Sequence, residues 1–264
     1  MEMFSLEGKV AVVIGGARHL GCDMAEALAH AGSDVVLTSR TKEHAVRAAL
    51  QLAERSGREV RGEELDVRDY AAVEALAQTA FSWKGRVDIL INNVGGAPPG
   101  SPGPLFDRAP EDIVHLIALN LTGPLFCCKA FGKRMADRGS GKIINISSIA
   151  GIVGRDRRMY QRNGMAGQPV DYAAAKAGVL GMTRDLSALL APSGVCVNAI
   201  APGGFGPRGL SEGFVNDYSD RTPLGRMGRD GVDLKGAALF LASAASDYIT
   251  GQTIVVDGGF TTWQ

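Results

Sequence analysis

Between residues 9 and 31 the chain runs through a short apolar stretch (KVAVVI), a turn carrying Gly15, Gly16 and Gly21, and an alanine-rich segment. Strand, glycine turn and helix in immediate succession begin a βαβ unit, and this constrains the fold more than any other stretch. The alternation continues. Strand patterns recur at 34–38, 59–65, 87–91, 142–147, 195–200 and Thr253–Val256, separated by helical patterns at 41–56, 69–84, 110–136, 171–190 and 231–242. The expected fold class is therefore α/β: a doubly wound, parallel, seven-stranded sheet with helices on both faces. At 264 residues, with 45% hydrophobic residues and no linker or internal repeat, the chain reads as a single domain over 1–264. A Pro/Gly-rich loop is expected over 95–104 and an irregular, lid-like region over about 203–222.

Charge excludes some partners. Lysine plus arginine (28) equal aspartate plus glutamate (28), so no global field points to nucleic acid or a membrane surface. Cys22, Cys127, Cys128 and Cys196 have no metal or redox spacing, and His19, His30, His44 and His115 are scattered, so no metal site is expected. The N-terminus lacks a basic region followed by an apolar leader, and no run of 18 apolar residues occurs. A cytoplasmic protein without membrane contact is the expectation.

The chemistry-bearing stretch is NISSIAG, an insert, then DYAAAKAG. Tyr172 and Lys176 lie four residues apart, so a helix presents both on one face. A phenol titrates near 10, and an adjacent ammonium favours its phenolate, which suits general acid–base work. Ser148, at the end of a strand, is placed to bond the same reacting oxygen. The pair alone also fits an ordinary helix surface. The first glycine turn suits a dinucleotide pyrophosphate, through backbone N–H groups and a helix N-terminus. Folds that take NAD usually carry an acid at the end of the second strand. Here Ser39 and Arg40 stand there, and with Arg18 they suit a 2′-phosphate. NADP(H) is expected, with NAD(H) possible; two solvated arginines are the alternative.

On the motifs GGARHLG (15–21), Asp66-Val67, NNVG (92–95), Asn120 in ALNLTG, SSIAG (147–151), YAAAK (172–176), VNAIAPGG (197–204) and YITGQTIVVDGG, the chain resembles the short-chain dehydrogenase/reductase family over nearly its whole length. Its C-terminal stretch is similar to the gluconate 5-dehydrogenase and β-ketoacyl carrier-protein reductase branches. The resemblance implies a Rossmann-type fold and a catalytic tetrad of Asn120, Ser148, Tyr172 and Lys176. It implies cofactor contacts from Gly15, Arg18, His19, Leu20 and Gly21; from Ser39 and Arg40; from Asp66 and Val67 beside the adenine; and from Asn92, Asn93, Val94 and Gly95. Pro202, Gly203 and Phe205 fall near the nicotinamide, with Tyr172 and Lys176. A homotetramer is also implied. Three positions depart from the pattern. His19 replaces a glycine, so either its φ stays negative or the phosphate loop is reshaped. Ile14 replaces a threonine and loses a hydroxyl brace, and Pro207 replaces another threonine.

In this reading Tyr172 exchanges a proton with the substrate oxygen, Ser148 polarises it, Lys176 keeps the tyrosine acidic and binds the ribose, and Asn120 positions a water. The insertion at about 152–170 carries Arg155, Arg157, Arg158 and Arg162 against one acid, Asp156. Ser148, Tyr172 and an arginine such as Arg155 or Arg158 are the candidate substrate contacts, the arginine for a carboxylate. A solvated loop or a subunit contact is the alternative. The expected substrate is a carbonyl or alcohol of a hydroxylated sugar acid or polyol, against a 3-oxoacyl thioester or a cyclic ketone. A nonenzymatic NADP(H) sensor or scaffold is the alternative of another class.

Overall fold

The computed structural model describes residues 2–96 and 104–263. Seven strands, β1 (Val10–Ile14), β2 (Asp34–Ser39), β3 (Val60–Glu64), β4 (Ile89–Asn92), β5 (Gly141–Ile146), β6 (Val195–Pro202) and β7 (Thr253–Val256), form one sheet in the order β3-β2-β1-β4-β5-β6-β7. Every pairing is parallel. The order reverses between β1 and β4. At such a switch point the connections leave in opposite directions and open a crevice at the carboxyl ends of the strands.

Both faces are dry at the centre of the sheet. All five residues of β1 are buried, and alternation divides them: Val10, Val12 and Ile14 join Leu90, Phe131 and Ile143 on one face, while Ala11 and Val13 join Met24, Leu28 and Ile144 on the other. The helices covering these faces include α1 (His19–His30), α2 (Lys42–Ser56) and α3 (Tyr70–Lys84). Helix α3 begins where Asp69 accepts hydrogen bonds from the backbone of Ala71 (2.9 Å) and Ala72 (3.3 Å), and it ends at Gly85, whose φ of +72° is left-handed.

The helix expected over 110–136 is interrupted. Helix α4 (Pro110–Ile117) passes through a π-helical turn, Ala118–Thr122, into α5 (Gly123–Arg138). Pro124 explains the widening: it has no N–H for the carbonyl four residues back, Asn120, and its ring crowds that carbonyl. The regions read as irregular contain order as well. The insertion holds α6 (Arg157–Arg162), capped by Asp156, and the lid holds α8 (Glu212–Asp220), capped by Ser211. Their apolar sides meet in a small third core of Met159, Phe214, Tyr218, Met227 and Phe260. Two further helices, α7 (Val170–Leu190) and α9 (Lys235–Ala242), are the remaining α-helices of the described residues. The expected 95–104 loop lies mostly within 97–103, outside the described residues.

Candidate active site

Strand β5 delivers Ser147 and Ser148 at its carboxyl end, and α7 delivers Tyr172 and Lys176 one turn apart. Two bonds seat this helix on the sheet: Ser147 Oγ donates to Lys176 O (2.7 Å), and Lys176 Nζ donates to Ile146 O (3.0 Å). The same ammonium donates to Val94 O (3.2 Å), fixing the segment that leaves β4. Gly95 belongs to that segment because a Cβ there would lie 2.2 Å from Asn120 Oδ1 and 2.9 Å from Lys176 Nζ. Ser148 Oγ accepts from Ala150 N (3.1 Å), which leaves its hydrogen free for the phenol.

Asn120 is placed differently from the other three. It is fully buried in the π-helical turn, where Oδ1 accepts from Gly96 N (2.9 Å) and Nδ2 donates to Gly96 O (3.1 Å) and Leu116 O (3.0 Å). Ser148, Tyr172 and Lys176 line the cleft, whereas the Asn120 side chain lies behind it and holds Gly96.

Burial pushes the Tyr172 phenol up, opposed by its hydrogen bond to Ser148 and by the charge of Arg155. Burial also brings Lys176 down to about 8. The Arg155 guanidinium carbon lies 5.5 Å from the Tyr172 ring centroid. Lys176 Nζ is 5.8 Å from the same centroid and directed to two carbonyls.

A cleft of about 570 Å³ runs from this point over the switch point to the end of β2. Gly15, Arg18, His19, Leu20, Ser39, Arg40, Asp66, Val67, Asn93, Val94, Gly95, Pro202 and Gly203 line it. Gly21 lies under the turn: a Cβ there would come 2.2 Å from Gly15 O, so the helix cannot approach with a larger residue. Helix α1 starts after Arg18 with no side-chain cap, leaving its first N–H groups for an anion. His19 has φ +50°, so its backbone is left-handed, and the alternative of a negative φ is set aside. The brace lost at Ile14 comes from the neighbouring strand, where Thr38 Oγ1 accepts from Gly15 N (2.9 Å). Arg18 and Arg40 are exposed at the cleft, and among the described residues neither forms an ion pair. The Asp66 carboxyl is held down to about 2 by Arg68, whose Nε donates to Oδ1 (2.9 Å). These residues fit a dinucleotide.

Two expected cofactor residues lie elsewhere. Asn92 is buried in the sheet, where Nδ2 donates to Asn145 Oδ1 (2.8 Å); Asn93 faces the cleft and donates to Gly15 O (3.1 Å). Residues i and i+1 of a strand point to opposite faces, and which one meets the cleft depends on a pairing register that one sequence does not display. Phe205 lines a second cavity of about 750 Å³, on the other side of Ser148 and Tyr172.

Arg155 and Gln168 also line this second cavity. Arg158 does not: its side chain is 79% exposed and paired with Asp156 (2.9 Å), which removes it from the candidate substrate contacts. Arg162 pairs with Asp217 (3.1 Å), and Arg157 Nη1 donates to Gln168 O (2.9 Å). Sequence reasoning missed Arg221, which lines the second cavity and pairs with Asp156, and Arg208, which lines the cleft and pairs with Asp230. Arg208 follows the Pro-Gly motif at a position of positive φ (+38°), with no sequence signal beyond its charge.

A family model described as enoyl-(acyl carrier protein) reductase matches residues 15–261. The chain is similar to a 3-oxoacyl-[acyl-carrier-protein] reductase of Aquifex aeolicus (34% identity, 96% of this chain and 98% of that one). It is similar to D-threitol dehydrogenase of Mycolicibacterium smegmatis (35% identity, 98% and 95%). Among solved structures, a gluconate 5-dehydrogenase of Burkholderia cenocepacia, in complex with NADP and tartrate, superposes with a TM-score of 0.89 at 35% identity, covering 99% of this chain and 98% of that one. With the parallel sheet, the cleft at the switch point and the Ser148–Tyr172–Lys176 cluster beside it, these likenesses establish that the chain belongs to the short-chain dehydrogenase/reductase family, oxidoreductases that use a nicotinamide cofactor on alcohols and ketones.

Proposed function

We propose that the protein is an NADP(H)-dependent oxidoreductase acting on a carbonyl or secondary alcohol of a hydroxylated sugar acid. The observation that carries this reading is the position of Ser148 and Tyr172 in the wall common to both cavities. One cavity suits the dinucleotide and the other a small substrate, so the two meet at a proton donor. Arg155, partly buried in the second cavity without an acidic partner, favours an anionic substrate there.

The nicotinamide supplies or accepts the hydride. In reduction, Tyr172 gives its proton to the oxygen that becomes the alcohol, and Ser148 donates a hydrogen bond to that oxygen as charge develops. Lys176 holds the segment after β4 and α7 in register, and Asn120, through both its bonds to Gly96, fixes the cleft floor beside it. The Arg155 charge lowers the energy of the phenolate left behind.

Sugar acids, polyols, 3-oxoacyl thioesters and cyclic ketones assayed with NADPH or NADP test the substrate class. Tyr172→Phe is expected to keep cofactor binding while turnover falls roughly a hundred- to ten-thousandfold. Turnover that survives this change overturns the assignment of the proton donor. Arg40→Asp is expected to weaken NADPH by about ten- to a hundredfold and NADH much less, because a charge-assisted bond to the 2′-phosphate is replaced by repulsion. Equal losses for the two cofactors would remove Arg40 from the phosphate site.

A further inference from the structure

Two buried polar atoms of opposite character belong to residues lining the second cavity and have no hydrogen-bond partner among the described residues: Arg155 Nη2, a donor, and Gln168 Oε1, an acceptor. Both residues belong to the segment between Ser148 and Tyr172. Arg155 Nη1 donates to Gln168 O (2.9 Å), so one nitrogen anchors the guanidinium to the backbone of its neighbour and the other is left over. The charge is uncompensated as well. Asp156, next in the chain, is taken by Arg158 and Arg221, and no carboxylate among the described residues pairs with Arg155. A buried guanidinium nitrogen and a buried amide oxygen left without partners are each costly, unless a ligand answers both.

We infer that Arg155 and Gln168 form a two-point subsite for a carboxylate flanked by a hydroxyl, with Arg155 Nη2 donating to the carboxylate and Gln168 Oε1 accepting from the hydroxyl on the adjacent carbon. A simple carboxylate answers only the first atom and a polyol only the second; a 2-hydroxy acid answers both. The guanidinium carbon lies 5.5 Å from the Tyr172 ring centroid, so the subsite adjoins the residue that carries the proton. Met159, Phe214 and Tyr218 form an apolar wall of the same cavity and limit competing water. This assignment rests on the hydroxy-acid reading above and narrows it.

Calorimetric titration of the NADP-saturated protein with D-gluconate, 2-deoxy-D-gluconate and D-gluconamide tests it. Loss of the hydroxyl is expected to weaken binding about tenfold, and replacing the carboxylate by an amide about a hundredfold. Gln168→Leu should weaken gluconate about tenfold and leave 2-deoxygluconate unchanged. Arg155→Leu should erase the preference for gluconate over gluconamide, and Arg155→Lys should restore part of it if the leucine variant does not fold. Equal binding of the three ligands, binding of none, or equal weakening of both acids by Gln168→Leu overturns the subsite. Tyr172→Phe separates the two levels of the reading, because it removes turnover and must leave the order of affinities intact. If the wild-type protein binds in this order and turns over no hydroxy acid, the subsite stands and the proposed reaction falls. If it turns over hydroxy acids without the preference, the reverse holds.

Discussion

Lys176 carries an opposition between stability and function that a pH series can read. Burial holds it down to about 8 from an ordinary 10.5, so below pH 8 the folded protein keeps a charge that its surroundings disfavour. Between about 8 and 10.5 the folded state has lost the proton and the unfolded state still binds it, so stability from this residue rises with pH across that window. Losing the bonds to Ile146 O and Val94 O offsets the stability of Lys176→Met at every pH, so the expected signature is in the slope: the gap between this variant and the wild type shifts in favour of the wild type as pH rises from about 8 to 10.5. Urea denaturation of both proteins without cofactor, across that range, measures it. A gap that does not change with pH would show that the ammonium is not disfavoured by its site. Lys176 and its neighbours in the cleft illustrate what a sequence can show. Tyr172, Lys176 and Ser148 were legible because a four-residue spacing and a strand end determine where side chains go. Arg155 and Arg158 were not separable: both are arginines of one insertion, and only the turn into α6 sends one inward and the other to solvent. Thr38 was hidden for another reason, since its bond to Gly15 depends on how β2 registers against β1.

At the scale of elements, α7 is tied at its first turn to the chain entering α4. Arg108 Nη2 donates to Asp171 Oδ2 (2.6 Å) and to Asp112 O (3.1 Å), and the two side chains are 1% and 2% exposed. Asp171 precedes Tyr172, so this pair sets where the catalytic helix begins. Arg108→Leu alone is expected to cost about 3–5 kcal/mol, because it leaves a carboxylate buried without its partner, while Arg108→Leu with Asp171→Leu recovers most of that. Chemical denaturation of the three variants checks the cycle; a small loss for the single change would mean that water reaches Asp171. The seven strands and the ends of α2, α3 and α7 were legible to within a residue or two, since apolar period and caps specify them. The π-helical turn at Ala118–Thr122 was not, although Pro124 marked the place where a regular helix is strained. Helices α6 and α8 were also missed. They are short, and their stability comes from packing on each other through Met159 and Phe214, a long-range contact with no local pattern.

For the whole molecule, two groups stand out among the exposed apolar side chains of the described residues. Leu105, Phe106, Val114 and Leu125 lie on or just before the α4–α5 rod, and Leu224, Tyr248 and Val255 lie around β7. Phe106 is 97% exposed and Tyr248 fully so. The rod Pro110–Arg138 is long and apolar enough to cross a membrane by length and composition, with only 39% of its most apolar window buried. A π-helical turn interrupts that rod, and Asn120 within it closes onto Gly96, so the rod belongs to the fold around the cleft. The family resemblance implies a homotetramer, and we propose these two groups as its contacts, each pairing with its own copy across a two-fold axis. Two independent isologous contacts on one chain generate a tetramer with three perpendicular two-folds. Sedimentation of a dilute sample is therefore expected to show a homotetramer. Val114→Asp with Leu125→Asp should leave dimers joined around β7, Tyr248→Asp with Val255→Asp should leave dimers joined through α4 and α5, and all four changes together should give monomers. A wild-type monomer, or tetramers that survive either pair of changes, would show that these surfaces are not the contacts.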